Sequence, residues 1–287
     1  MKKTLASGFL LFATFWGVNA QTVSLKFNPE NGSKYEATVL TETKITQMVM
    51  GQTMDINSTN NVKFDYDFAD AGENKQLSLT YKQLDVSVNA MGQETKLSSE
   101  SSDAASSALK NIKGSVITAT INSGGEVLDV KGADELSNGI DDAATKEIMK
   151  QLLSNDNIKS SIRQSLSSYP NKALKVGDSW TDSLAISLPY KMNIISTYTL
   201  QKIDGSESTI QIASKISSNG KQPFEAQGMS MEMSAEGTGT GSLVVDNATG
   251  VAKTGESNQS IDATVYAMGQ EVPMKIDTVT KTTVNKK

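Results

Sequence analysis

Carboxylates are the residues of this chain best spaced to do chemistry. Asp65 and Asp67 alternate along "DYDFADAGE", so both fall on one face of a strand, with Asp70 and Glu73 following in a turn. Neighbouring carboxylates can hold a calcium ion, or share acid and base work in a glycosidase. The plainer reading is a solvated strand face running into a polar turn. It is favoured because the loop spacing and closing glutamate of a calcium-binding hand are missing. Asp65, Asp67 and Asp70 are thus the residues a cation would take, but no metal or other cofactor is expected. Asp141 and Asp142 suit a helix start, where acidic side chains complement the helix dipole.

Residue type excludes most other catalytic machinery. The 287 residues contain no His and no Cys. That removes Ser-His-Asp and Cys-His nucleophiles, the usual His-containing zinc sites, and disulfides. No Walker-type phosphate loop occurs, and no G-x-G-x-x-G opens a helix. The glycine-rich "GTGTG" at 237–241 reads as a bend or bulge between strands. The chain is expected not to be an enzyme, with carboxylate-pair hydrolysis of a glycan as the alternative.

Residues suited to binding are more evident. Gly177, Asp178 and Trp180 form a tight turn, a turn-bonding carboxylate and a large ring that opens a strand. Twelve methionines occur, and Met48, Met50 and Met54, then Met229, Met231 and Met233, fall at strand spacing. Flexible thioethers suit adaptable apolar grooves, and they also fill cores, which is the favoured reading. Trp180, Met229, Met231 and Met233 are the candidate ligand-binding residues.

The elements that carry these residues alternate at period two. "KYEATVLTETKI" sets Tyr35, Ala37 and Val39 on one side, and "VKFDYDF" does so with Phe64, Tyr66 and Phe68. Such runs predict half-buried antiparallel strands. Between Asp134 and Tyr169 the period turns helical, with Ile148 and Leu152, then Ile158, Ile162 and Leu166, four apart. "NDN" at 155–157 supplies capping side chains between two helices and Pro170 closes the second.

The flanks of this helical pair resemble copies of one plan. Gly32 and Tyr35 answer Gly177 and Trp180, "MDINST" answers "MNIIST", and Gly92 answers Gly228. The glycine-turn hairpin "INSGGEVLDV" likewise answers "VDNATGVAKT". A Ser-rich insert, "SSESSDAASSALKNIK", distinguishes the first copy and reads as a mobile loop. Met-Gly-Gln occurs three times, at 50–52, 91–93 and 268–270, each between strand-like runs, and reads as a hairpin turn. The fold expected is mainly β: two related antiparallel sheet units, as an incomplete barrel or sandwich, joined by a central helical pair. The units run 21–133 and 173–287, the second with an extra C-terminal hairpin, and the helical pair runs 134–172.

Residues 1–20 read as a signal peptide. Lys2 and Lys3 precede an apolar stretch too short to span a bilayer, and "VNA" sets small residues for cleavage after Ala20. Without those lysines the formal charge falls from −5 to −7. An acidic chain with no clustered basic face excludes nucleic acid as a partner. No later apolar run is long enough for a membrane helix. "DSL" at 182–184 and "DTV" at 277–279 fit a short O-glycosylation pattern of exported proteins.

"YPNKALKVGDSW", Tyr169 to Trp180, together with "LKFNPENGSKY", resembles an uncharacterised family of exported bacterial proteins, catalogued as a domain of unknown function. The specific element is P-x-K-x-x-x-V-G-D-S-W. The resemblance implies a β-rich exported protein and assigns no activity. Its members often begin with a lipidated cysteine, which this chain lacks. The expectation is a periplasmic or extracellular protein, not a lipoprotein. It would bind an apolar ligand or a partner, lipid, peptide or envelope protein, on a concave sheet face. A structural or assembly role is the further alternative.

Overall fold

The computed structural model of the protein describes residues 21–49, 51–103, 105–138, 146, 153–165, 169–186, 191–226, 229–267 and 269–287. The first part of the chain forms β1 (Thr22–Val23), β2 (Lys34–Val49), β3 (Gln52–Ala71), β4 (Asn74–Ala90) and β5 (Gln93–Ser98). Helix α1 (Ser107–Ile112), β6 (Val116–Ile121), β7 (Val127–Lys131) and helix α2 (Asn155–Ser165) follow. After β8 (Leu174–Lys175) and β9 (Ser179–Ile186) come β10 (Met192–Asp204), β11 (Glu207–Ser217) and β12 (Gln222–Ala226). The last strands are β13 (Met229–Asp246), β14 (Ala252–Ala267) and β15 (Gln270–Lys286).

Among the described residues all strands but β1 and β8 join one antiparallel sheet, ordered β7-β6-β4-β3-β2-β15-β14-β13-β11-β10-β9. The chain is mainly β, as the alternation requires. The two runs of strands do not form separate sheets, however. They fuse where β15 pairs with β2, from Met274 opposite Gln47 to Lys286 opposite Tyr35. Two strand positions are shared. β5 covers Asp85–Ala90 of β4 and β6 covers Lys75–Thr80, while β11 and β12 lie in line along β13.

The sheet does not close into a barrel, since β7 and β9 are its two ends. Helix α2 packs against both. Lys159 Nζ donates to the Leu128 carbonyl of β7 at 2.8 Å, and Arg163 donates to the Ser183 carbonyl of β9 at 3.3 Å. Edge strands expose unpaired backbone groups that invite association, and these cations occupy some of them. Ile158 and Ile162, four apart, enter the core. Of the expected helical pair, α2 is the member described; Asp141, Asp142, Ile148, Leu152 and Leu166 lie outside the described residues, and Lys146 is helical.

One end of the sheet is sealed. Phe27 N–H donates to Ser123 in the β6–β7 turn and Asn28 N–H to Thr249 in the β13–β14 turn. Tyr169 repeats the tie, its N–H donating to the Gly124 carbonyl at 2.9 Å and its hydroxyl to the Gly250 carbonyl at 2.7 Å. These crossings cover a buried core of Leu25, Phe27, Leu174, Leu200, Val127 and Val245.

The Ser-rich insert is not loop throughout: Ser107–Ile112 of it forms helix α1. Leu109 and Ile112, one turn apart on α1, are buried. Ser99 Oγ accepts from Leu84 N–H, and Ser106 Oγ from Ser98 N–H. Serine content hid this helix because the hydroxyls hydrogen-bond protein instead of water. "GTGTG" is likewise no bulge: Gly237 to Gly241 pair in unbroken register with both β11 and β14.

Candidate functional site

Period-two geometry gives each strand one side chain in two toward α2, and register then lines these residues into rows across the sheet. One row runs Leu184, Ile194, Ile216, Gly237, Ile261, Ile276, Ile45, Ile56, Ala90, every neighbour directly opposite the last. Nine strand positions thus share one apolar stripe. The next row toward the sealed end changes character: Asp182, Ser196, Ser214, Gly239, Gln259, Thr278, Thr43, Ser58. Beyond it Gly241, Ser257, Thr280, Thr41 and Asn60 continue the polar belt, before the large core side chains begin.

Hydroxyls in this belt bond one another across strands: Ser196 with Ser214 at 2.8 Å, Thr43 with Thr278 at 3.3 Å and Thr41 with Thr280 at 3.4 Å. Between the belt and α2 lies a cleft of about 430 Å³. Its walls come from seven sheet strands, β2, β9, β10, β11, β13, β14 and β15, and from Ser161 and Arg163 of α2. One cleft touching all of these requires a curved sheet, and the inner face is its concave side. Gly239 and Gly241 supply floor without side chains. A Cβ at Gly241 would meet the Glu256 carbonyl at 2.7 Å, so β13 and β14 approach too closely there for a larger residue. A shallower depression of about 570 Å³ lies mostly over the outer face, along Thr46, Met48, Thr264 and Lys275.

The cleft's charged pair is Arg163 and Asp182, 3.5 Å apart. Trp180, on the edge strand β9, stacks on Tyr198 directly opposite, with centroids 5.5 Å apart and planes at 11°. Burial, and then the charge of Asp182, push the Tyr198 hydroxyl above its ordinary range. Burial also raises Tyr66, and raises Tyr81 to about 12.

The remaining sequence candidates scatter. Met233 is buried in a second core cluster with Ile194, Ile216 and Ile261, and Met231 is half-buried nearer the open end. Met229 belongs to β13, but its side chain lies outside the described residues, as does Met50. Trp180 and Met233 therefore occupy opposite sides of the polar belt and do not form one site. Asp65 and Asp67 point to the outer face, away from the cleft. Asp65 takes Lys287, and Lys82 at 3.6 Å; Asp67 takes Lys34 at 2.6 Å; Asp70 takes Lys75 at 2.6 Å. The Lys287 ammonium holds the Asp65 carboxyl below its usual range. Each acid is matched by lysine on a partly exposed surface, where such pairs contribute about 0–1 kcal/mol. Of the two glycosylation-like tripeptides, Thr278 faces the cleft and Ser183 lies exposed on the edge strand.

Sequence reasoning missed the polar belt. Its signal was present as Ser, Thr and Asn at inward parity, at positions 41, 43, 58, 60, 196, 214, 278 and 280. Alternation marks two faces but does not say which is covered.

No curated protein matches the chain. Among solved structures, lipovitellin, described for its lipid–protein interactions, is similar with a TM-score of 0.51 at 10% identity over 89% of this chain. The chain spans 25% of the lipovitellin chain it matches. At that identity the likeness is one of fold. An outer membrane channel from Pseudomonas putida F1 is matched over 90% of this chain and 97% of its own, at 7% identity and a TM-score of 0.28. The β domain of the Bordetella autotransporter BrkA is matched over 88% and 99%, at 8% identity and 0.24. A family model covers residues 72–252, the greater part of the chain including the "VGDSW" corner, and on that match the protein belongs to the family of unknown function DUF6263.

Proposed function

We propose that this is an exported, non-enzymatic binding protein that takes an elongated amphipathic molecule on its concave face. The observation that carries the reading is the order of rows: an isoleucine stripe, a hydroxyl belt, then a sealed apolar end. A fully apolar ligand would leave the belt's hydroxyls without partners beyond one another, and a wholly polar one would leave Ile45, Ile56 and Ile276 half-exposed to no purpose. A chain-like molecule with a polar group at one point satisfies both. The lipid named with lipovitellin supports this only as a precedent for the fold.

Native mass spectrometry of protein taken from the cell envelope tests it directly, with a bound lipid-like mass expected. A fluorescent fatty acid should bind the delipidated protein, and Ile276→Ser should weaken it about tenfold through lost apolar contact. Protein that never carries such a mass and ignores the probe would sink the reading. Export predicts a processed N-terminus at Gln21, which the same spectra report.

The two strand runs support descent from one duplicated unit. Gly32 N–H bonds Phe68 at 2.7 Å as Gly177 N–H bonds Leu200 at 2.8 Å, and Phe68 and Leu200 return N–H bonds to Ser33 and Asp178. Superposing β2–β7 on β9–β14 should bring these corners into coincidence; misalignment by a strand would contradict it.

A further inference from the structure

The end of the sheet opposite the sealed core has an unusual chemistry. The turns β2–β3, β4–β5 and β14–β15 each place Met-Gly between a directly paired couple: Val49 and Gln52, Ala90 and Gln93, Ala267 and Gln270. These strands are consecutive in the sheet, so the three turns stand side by side on one edge. Their sequences at 49–52, 90–93 and 267–270 hold no charged residue. The turns at the sealed end differ: Asp70 and Glu73 flank Gly72, Asp204 and Glu207 flank Gly205, and Asp246 opens the β13–β14 turn.

Met91 shows that this is more than a shortage of charge. It takes φ 55, followed by Gly92 at φ 80, the two positive values of a type I′ turn. Asn, Asp or Gly normally hold the first of these positions because a larger side chain is strained there. Here a methionine holds it with 77% of its surface exposed, and Met48 nearby is 52% exposed. A local rule is broken in favour of a solvent-facing apolar side chain, the mark of a surface with a job.

We infer that this row of hairpin tips docks on the surface of a lipid bilayer, delivering the open end of the concave face to its ligand. The inference rests on the proposed function for the nature of the cargo, while the docking surface stands on the tips themselves. Hairpins repeat about every 10 Å across a sheet, so three adjacent tips make one uncharged row suited to a fluid surface rather than to a single groove. Of the lysines behind the edge, Lys44 pairs with Asp55, Lys96 with Glu94 and Lys275 with Asp277, while Lys221 lies over the Tyr266 ring and the exposed Glu271 borders the β14–β15 turn. Attraction to anionic headgroups therefore adds little, and contact relies on flexible thioethers entering the interface with glutamines at headgroup level.

Flotation with phosphatidylcholine vesicles tests this, using protein processed and purified from the envelope. The native protein should float, and Met48→Asp combined with Met91→Asp should reduce the bound fraction about tenfold, since both lose their interfacial contact. Aspartate suits the type I′ position of Met91 and Met48 is an exposed strand residue, so an unchanged circular dichroism spectrum is expected and separates loss of binding from loss of fold. Val176→Asp, 54% exposed by the sealed end, should float unchanged. Absence of native flotation, or equal loss in the Val176 variant, overturns the inference. The soluble fatty-acid probe separates the two claims. Probe binding without flotation removes the docking alone, and absence of both removes the binding function as well.

Discussion

Thr41 and Thr280 stand directly opposite one another where the first and last long strands meet, their hydroxyl oxygens 3.4 Å apart. They are 239 residues apart in the chain, and their contact joins its two halves inside the cleft. Replacing both with valine removes a mutually satisfied pair, so denaturant unfolding should show a stability change under about 1 kcal/mol. Binding should be less tolerant. The double variant is expected to hold a fatty acid about tenfold more weakly, roughly 1.4 kcal/mol, while a plain hydrocarbon probe is unaffected. Equal losses for both probes would show that the belt does not read a polar group.

The clamp between the sheet's ends predicts an association defect. Lys159→Ala with Arg163→Ala frees the Leu128 and Ser183 carbonyls and breaks the contact with Asp182. Hydrogen exchange in β7 and β9 should rise, and size-exclusion chromatography should reveal oligomers as the edges find partners. A variant with the elution volume and exchange of the native protein would show that apolar packing of Ile158 and Ile162 holds the helix unaided.

A pH dependence follows from Asp246. Burial raises its carboxyl, but hydrogen bonds from the Thr249 hydroxyl at 2.8 Å and amide at 2.9 Å, with Lys253 nearby, leave it lower than usual. A folded-state value below the unfolded one gives stability that is present above the ordinary carboxylate value of about 3.9 and is lost as pH falls through the folded value. Asp246→Asn should therefore lower stability by about 1 kcal/mol at pH 7 and flatten the acid limb below pH ~4. Unfolding curves at several pH values check the sign.

Gly250 predicts the sharpest steric effect. A Cβ there would lie 2.3 Å from the Lys26 carbonyl oxygen, at a φ of +67. Gly205, at φ +58, has nothing within 4 Å of the same position. Gly205→Ala should cost about 1 kcal/mol from backbone conformation. Gly250→Ala should cost more than about 3 kcal/mol, since the strand crossing over the turn must also shift. Thermal unfolding that ranks the two equally would mean the sealed end is looser than its hydrogen bonds imply.

Much of this protein was legible residue by residue. Alternation in "KYEATVLTETKI" and "VKFDYDF" placed Tyr35, Phe64 and Phe68 inward, and Met-Gly-Gln marked three hairpins correctly. In the Ser-rich insert and in "GTGTG" composition does not fix conformation. Leu109 and Ile112 anchor the first, and pairing on both sides straightens the second.

By itself the sequence determined the strand character, the turns, and the lack of histidine and cysteine chemistry, since these depend on side-chain type and on neighbours a few residues apart. Tertiary structure decided which strands meet, which acids face outward, and that serines and threonines from both halves form one belt beside one isoleucine stripe. Register across a sheet aligns residues such as Ile45 and Ile276 that no local pattern relates. The proposed binding surface is a property of that alignment, and it exists only once β15 has paired with β2.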